Sequence, residues 1–240
     1  MADTPDRAVP AQAWTVAGTT VYMPLLDPAA GSGVVANLVD AYQPKTPLLV
    51  TAPDVTEALI SAGGTRGRHV YLMRHDLQDV PPEPTIAGLT LRGWEPADAR
   101  RLAPSYIAAY GEGHPDQRGP DLELAAESLN HTSDDPDNPL MTSISQVAVV
   151  SGEPIGVAMV TLSEQMTNWS GPWLMNTFRS PDIAIRRIGA AMIVRTMHLL
   201  KQSGYTYYGL MVTTKNPAYN VYTSLGFKVG LEGTMVVLPE

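Results

Sequence analysis

The stretch IRRIGAAMIVRTMHLLKQSG, residues 185 to 204, reads as a long amphipathic helix with an unusual beginning. Gly189, Ile193, Met197 and Leu200 fall on one face at helical spacing, and Gly204 stops the pattern. A helix N-terminus exposes unpaired N–H groups and a positive dipole end, so it suits a phosphate. Arg186 and Arg187 add charge and donors, and Ile188 belongs to the same candidate anion-binding turn. Gly189 lets a ligand approach the backbone, and Ala190 and Ala191 add little bulk. Basic residues are unfavourable at the positive end of a helix, and that mismatch favours an anionic ligand. The stretch is not a P-loop, because no GK[ST] occurs, and it lacks the GxGxxG of a dinucleotide fingerprint. The earlier AAGSGVVANL (29–38) also clusters glycines and reads as a flexible turn.

Downstream, YYGLMVT (207–213) reads as a strand, and NPAYNVYTSLGF (216–227) as a short capped helix. Asn216 suits the N-cap, Pro217 the first helical position and Gly226 the position just past the end. Ala218, Val221, Tyr222 and Leu225 form the inward stripe, so Tyr222 taken alone reads as a core residue. FKV and TMVVL close the chain as strands. Upstream, WLMNTF (173–178) is a strand that ends in Asn176, Thr177 and Phe178. SQVAVV (145–150) and IGVAMVTLS (155–163) are strands joined through SGEP as a hairpin. LTLRGWEP (89–96) starts as a strand, helices follow from Pro96 to Ile107 and over LELAAESLN, and HTSDDPDNP reads as a loop. This is a mixed α/β order.

VPPEPTIAG (80–88) reads as a linker, dividing an αβ segment with linker, 1–87, from a domain-sized part, 88–240. Residues 1 to 15 read as a loose tail. PLLVTAPDVTEALISAG (47–63) and GLMVTTKNPAYNVYTSLG (209–226) share one plan: an apolar strand ending in VT, a turn with Pro, a short helix, then Gly. Val55, Ala58, Leu59 and Ala62 match Ala218, Val221, Tyr222 and Leu225 at constant offset. An internal repeat with a truncated first copy is expected, with Leu59 in the place of Tyr222.

The chain has 240 residues, 44% of them apolar, and a formal net charge of −8. That charge argues against a nucleic-acid partner, which needs a basic footprint. With no cysteine, disulfides, thiolate metal sites and a cysteine nucleophile are excluded. The five histidines are scattered without HxxxH or HExxH spacing, so no metal is expected. No apolar run approaches the ~20 residues that span a bilayer, and the N-terminus lacks an apolar signal region. A cytoplasmic protein with no membrane partner is expected.

A strand, RxxGxA opening a helix, a second strand, then NxxxxxY and LGF resemble the GCN5-related N-acetyltransferase family over about residues 88 to 240. Arg186, Gly189 and Ala191 carry the first motif; Asn216, Ala218, Tyr222 and Leu225–Gly226–Phe227 carry the second. The resemblance implies an acyltransferase fold, a mixed and mostly antiparallel sheet flanked by helices. It implies acetyl-CoA as donor and an amine as acceptor. The turn 186–191 would hold the diphosphate of the nucleotide, the strand at Asn176, Thr177 and Phe178 would pair with the pantetheine arm, and Tyr222 would protonate the leaving thiolate. A homodimer is the expected assembly. The sequence departs from the family in a longer approach from Pro181 to Arg186 and in having no carboxylate on WLMNTF. Glu112, His114 and Glu164 are the candidate bases, and the amine could equally arrive neutral. The acidic loops YGEGHPDQ and HTSDDPDNP would hold a cationic amine, and Trp169 and Trp173 would line its pocket. The expected acceptor is a small primary amine such as an amino acid, polyamine or aminoglycoside-like compound. A protein or peptide N-terminus or lysine as acceptor, and an acyl-CoA-binding sensor without turnover, are the alternatives.

Overall fold

The structure, a computed structural model of the chain, describes residues 11–16, 19–26, 31–163 and 169–240. The first part contains β1 (Ala11–Val16), β2 (Thr19–Pro24), α1 (Val35–Ala41), β3 (Pro47–Val50), α2 (Pro53–Ser61) and β4 (Thr65–His75). After the linker come β5 (Leu89–Arg92), α3 (Asp98–Ala109), α4 (Leu122–Asp134), β6 (Gln146–Val150), β7 (Glu153–Ser163) and β8 (Gly171–Arg179). The chain ends with α5 (Ile188–Gln202), β9 (Tyr208–Thr213), α6 (Ala218–Ser224) and β10 (Lys228–Val237).

The strands form one sheet in the order β1-β2-β3-β10-β4-β9-β8-β7-β6-β5. All neighbours are antiparallel except β2–β3 and β8–β9. The two sequence parts interlock: β4 of the first lies between β9 and β10 of the second. The order reads symmetrically about the β10–β4 pair. Adding 163 to a β4 number gives its counterpart in β10, Thr65 to Lys228 and Val70 to Gly233, and this exchange preserves the ladder. Lys228↔Arg74 maps onto Val237↔Thr65, Glu232↔Tyr71 onto Thr234↔His69, and Gly233↔Val70 onto itself. The irregularities map too: Gly230 is the extra residue of one bulge, and Gly67 lies in the other. The same offset relates Leu59 to Tyr222 and Gly63 (φ 100) to Gly226 (φ 94).

Both faces are packed, as strand alternation requires. On one face α5 lies over Leu174, Leu210 and Val212, burying Ile188, Met192, Ile193, Met197 and Leu200, with α6 beside it. Each such side chain contributes about 1.5–3 kcal/mol. α1 and α2 cover Leu48, Val50 and Val236. α3 and α4 pack against Val147, Val157, Met159 and Phe178.

Several elements differ from the sequence reading for local reasons. Residues 11–15, expected in a loose tail, belong to β1, and the preceding ten lie outside the described residues. Part of the expected turn 29–38 is helical, with α1 starting at Val35. α4 runs on through His131–Asp134, with the Thr132 hydroxyl donating to the Ser128 carbonyl, and stops before Pro136, which excludes helix from the residue ahead of it. FKV and TMVVL merge into β10 across the Gly230 bulge. In the SGEP hairpin, Ser151 (φ 51) and Gly152 (φ 84) are both left-handed, as a tight right-twisting turn requires.

The α6 C-terminal end behaves as read, while at the start Pro217 stands at the N-cap and Asn216 just ahead of it. Asn216 Oδ1 accepts from Ala218 N–H at 2.8 Å. At the other end Phe227 N–H donates to the Tyr222 carbonyl and Gly226 N–H to that of Thr223, a Schellman closure. A Cβ on Gly226 would lie 2.9 Å from His75 Nε2, in a buried ring packed on Phe227. Gly226→Ala is therefore expected to cost about 2 kcal/mol through left-handed strain and that contact. Urea unfolding would show a lower midpoint with an unchanged m-value.

Candidate active site

The β8–β9 pair is where the sheet opens. These strands run parallel and touch only at Trp173↔Gly209 and Leu174↔Leu210. Beyond Leu174 they diverge, and a bulge against β7 at Met175 shifts the alternation of β8. Ligands of open α/β sheets bind outside the carboxyl ends of parallel strands, and α5 and α6 both begin at this end.

A cavity of about 550 Å³ occupies the opening. It is lined by Tyr222, Leu174 and Val212 from the α5/α6 face and by Trp173, Met175 and Met211 from the opposite face. It therefore passes through the sheet between β8 and β9. Asn176, Thr177, Phe178 and Asn216 also line it.

Tyr222 is buried, and its hydroxyl hydrogen-bonds to no described residue while its side chain borders the cavity. Burial, with Tyr110, Tyr208 and the Asp116 carboxylate nearby, holds its phenol well above the ordinary tyrosine range. It stays protonated at any working pH. Tyr110, at the end of α3, donates to Asn176 Oδ1 at 3.2 Å and to the Thr177 carbonyl at 3.0 Å, and burial raises its phenol as well.

The turn 186–191 lies off the cavity lining. Arg187 is the left-handed residue ahead of α5 (φ 68), so both arginines precede the helix rather than occupying its first turn. Both are exposed. No side chain caps α5, and its first bond runs from Ala191 N–H to the Arg187 carbonyl, leaving the N–H groups of Ile188, Gly189 and Ala190 without a helical acceptor. Ile188 and Ala191 point their side chains into the core. Gly189, which the spacing puts on the apolar stripe, instead has open space where a Cβ would stand.

Asp116 is legible in the sequence only as an acidic loop residue. Here its carboxylate accepts from Arg68 and Thr213 Oγ1, both at 2.6 Å, and from Asn216 Nδ2 at 2.9 Å. Burial opposes the charge, but these donors win and hold the acid below its ordinary range. Arg68 comes from β4, so the first part of the chain helps to build the site. The pairing crosses 48 residues and leaves no signal in spacing.

Of the candidate bases, His114 borders the cavity, but its Nδ1 accepts from Asp116 N–H, so the neutral ring carries its proton on Nε2. Glu112 lines an adjacent shallow depression instead of the cavity, and Glu164 lies outside the described residues. Of the loops expected to hold a cationic amine, Tyr110, His114 and Asp116, the last already paired, and Asn138 line the cavity. Trp173 lines it, whereas Trp169 stands behind, accepting the Trp173 indole N–H on its carbonyl at 2.7 Å.

No protein-family model matches the chain, and no curated protein matches it significantly. Solved structures do. A GCN5-related N-acetyltransferase from Sphaerobacter thermophilus superposes with TM-score 0.62 at 15% identity, over 95% of this chain and 75% of that one. Another from Kribbella flavida gives 0.56 at 16%, over 92% and 82%. The chain has the GCN5-related N-acetyltransferase fold. A tandem protein of this fold from the clavulanic acid biosynthesis pathway gives 0.53 at 13%, over 92% and 75%. In the GCN5-related fold of this chain, the parallel pair that splays is β8–β9. Among the described residues no group of three or more His, Asp or Glu is placed to hold a metal ion, and no helix is long and apolar enough to cross a membrane.

Proposed function

We propose that the protein is an acetyl-CoA-dependent N-acetyltransferase that acylates the primary amine of a small molecule by direct attack. The observation that carries the reading is the cavity through the β8–β9 opening, with Tyr222 on one face and an apolar chamber on the other. The residues present fit an acyl-CoA. The uncapped start of α5 offers three N–H groups, an open Gly189 and two exposed arginines to a diphosphate. The diverging edge of β8 at Asn176, Thr177 and Phe178 offers backbone to a pantetheine amide.

The acyl-CoA supplies an activated thioester carbonyl, and the chain orients it. The amine nitrogen bonds to the carbonyl carbon, and a backbone N–H of the bulged segment at Met175 stabilises the oxyanion. When the C–S bond breaks, Tyr222 hands its proton to the sulfur, the nitrogen loses its extra proton to water, and water returns a proton to the phenolate. The leaving thiolate, whose conjugate acid has a pKa of ~8.5, is a weaker base than the Tyr222 phenolate, since burial holds that phenol above the ordinary ~10. Full proton transfer is therefore set by the order of bond breaking, and Tyr222 acts chiefly by hydrogen-bonding the sulfur as its charge develops. No side-chain base is needed if the amine binds neutral. Segment 1–87 reads as a partial second copy: β3, α2 and β4 match β9, α6 and β10 at constant offset, but Leu59 stands where the phenol would be.

The test is thiol release from acetyl-CoA across an amine panel. Release that depends on the amine supports the reading. CoA binding without release from any amine contradicts it and favours a sensing module.

A further inference from the structure

On the far side of the sheet from Tyr222, the cavity floor is apolar. Trp173, Met175, Met211 and Met235 line it with Val21 and Leu72, the last two from the first sequence part. Methionine is unbranched and polarisable, so three of them make a floor that moulds to an apolar surface. The Trp173 indole N–H is already donated to the Trp169 carbonyl, so the ring presents only its apolar face. The described lining carries three arginines, Arg68, Arg118 and Arg179, against one aspartate, with His114, Tyr110 and Tyr222 as its other titratable groups. That aspartate already accepts from three donors. The chain is acidic overall, with a formal charge of −8, yet this cavity is not.

We infer that the acceptor is a monoamine carried on an apolar skeleton, not a polyamine or amino sugar. The inference rests on the transferase reading above and names its substrate class. A second ammonium group would leave water to lie on methionine and tryptophan, with no free carboxylate among the described lining residues to meet it and with three arginines in that lining. An alkyl or aryl tail would gain with every carbon buried.

The experiment uses the full chain, saturating acetyl-CoA and thiol release as readout, with propylamine through hexylamine compared against 1,6-diaminohexane and spermidine. Each methylene is expected to raise kcat/KM about fourfold. Diaminohexane should fall at least about 50-fold below hexylamine, because its far end must be desolvated as a cation. Met211→Gln, and independently Met235→Gln, should lower the gain per methylene. A flat alkyl series, or turnover of spermidine equal to hexylamine, overturns the acceptor assignment while leaving transfer itself standing. CoA binding without release from any amine is a different result: it overturns transfer and this assignment with it.

Discussion

Tyr222→Phe is expected to lower kcat by about 100-fold while leaving the affinity for acetyl-CoA and the folding stability nearly unchanged. The separation follows from where the hydroxyl sits. The ring packs against Phe227 at 6.0 Å between centroids and belongs to the core beneath α5. Phenylalanine keeps all of that. The hydroxyl donates to no described residue, so its removal leaves no protein acceptor orphaned. The equivalent position in the first part is the fully buried Leu59, which shows that the packing of such a helix does not require a phenol. Steady-state kinetics with the thiol readout, beside urea unfolding, checks both halves. A variant with wild-type kcat would remove the general-acid role. A variant that loses stability in proportion to activity would make the tyrosine merely structural.

Gly189→Asp is expected to weaken CoA binding by about 100-fold, since a carboxylate near 4 Å from a phosphate is repelled by several kcal/mol at intermediate dielectric. The protein itself should tolerate the change. A Cβ at Gly189 would meet no other atom within 4 Å, and an acid in the first turn of a helix is favourable by up to about 1 kcal/mol. The variant should thus unfold no earlier than the wild type while losing its ligand. Gly189→Asn separates bulk from charge, and it should retain most of the affinity. Calorimetric titration with CoA reads both. Wild-type affinity in Gly189→Asp would place the diphosphate elsewhere.

What can be read from the sequence is local. The α6 boundaries rest on Asn216 and Gly226, whose side-chain bond and left-handed backbone lie within the helix ends themselves. The α2/α6 match is visible for the same reason, because both stripes obey one helical period. The position of β4 between β9 and β10 is not visible, since strand pairing joins residues 133 or more apart without any mark in spacing. The Arg68–Asp116 pair is hidden likewise. Two motif residues, Arg186 and Arg187, read in the sequence as the first turn of α5. The left-handed Arg187 instead turns the chain just before it, a backbone choice that no composition signals. Charge counts in the loops say nothing of pairing: Asp116 faces the cavity already bound.

If the start of α5 seats a diphosphate while Tyr222 faces the thioester sulfur through the β8–β9 opening, a crystal structure with acetyl-CoA bound will show both at once. Phosphate oxygens should lie within about 3 Å of the N–H groups of Ile188, Gly189 or Ala190, and the sulfur within about 3.5 Å of Tyr222 Oη. A nucleotide bound elsewhere, or a sulfur remote from that hydroxyl, would contradict the proposed chemistry.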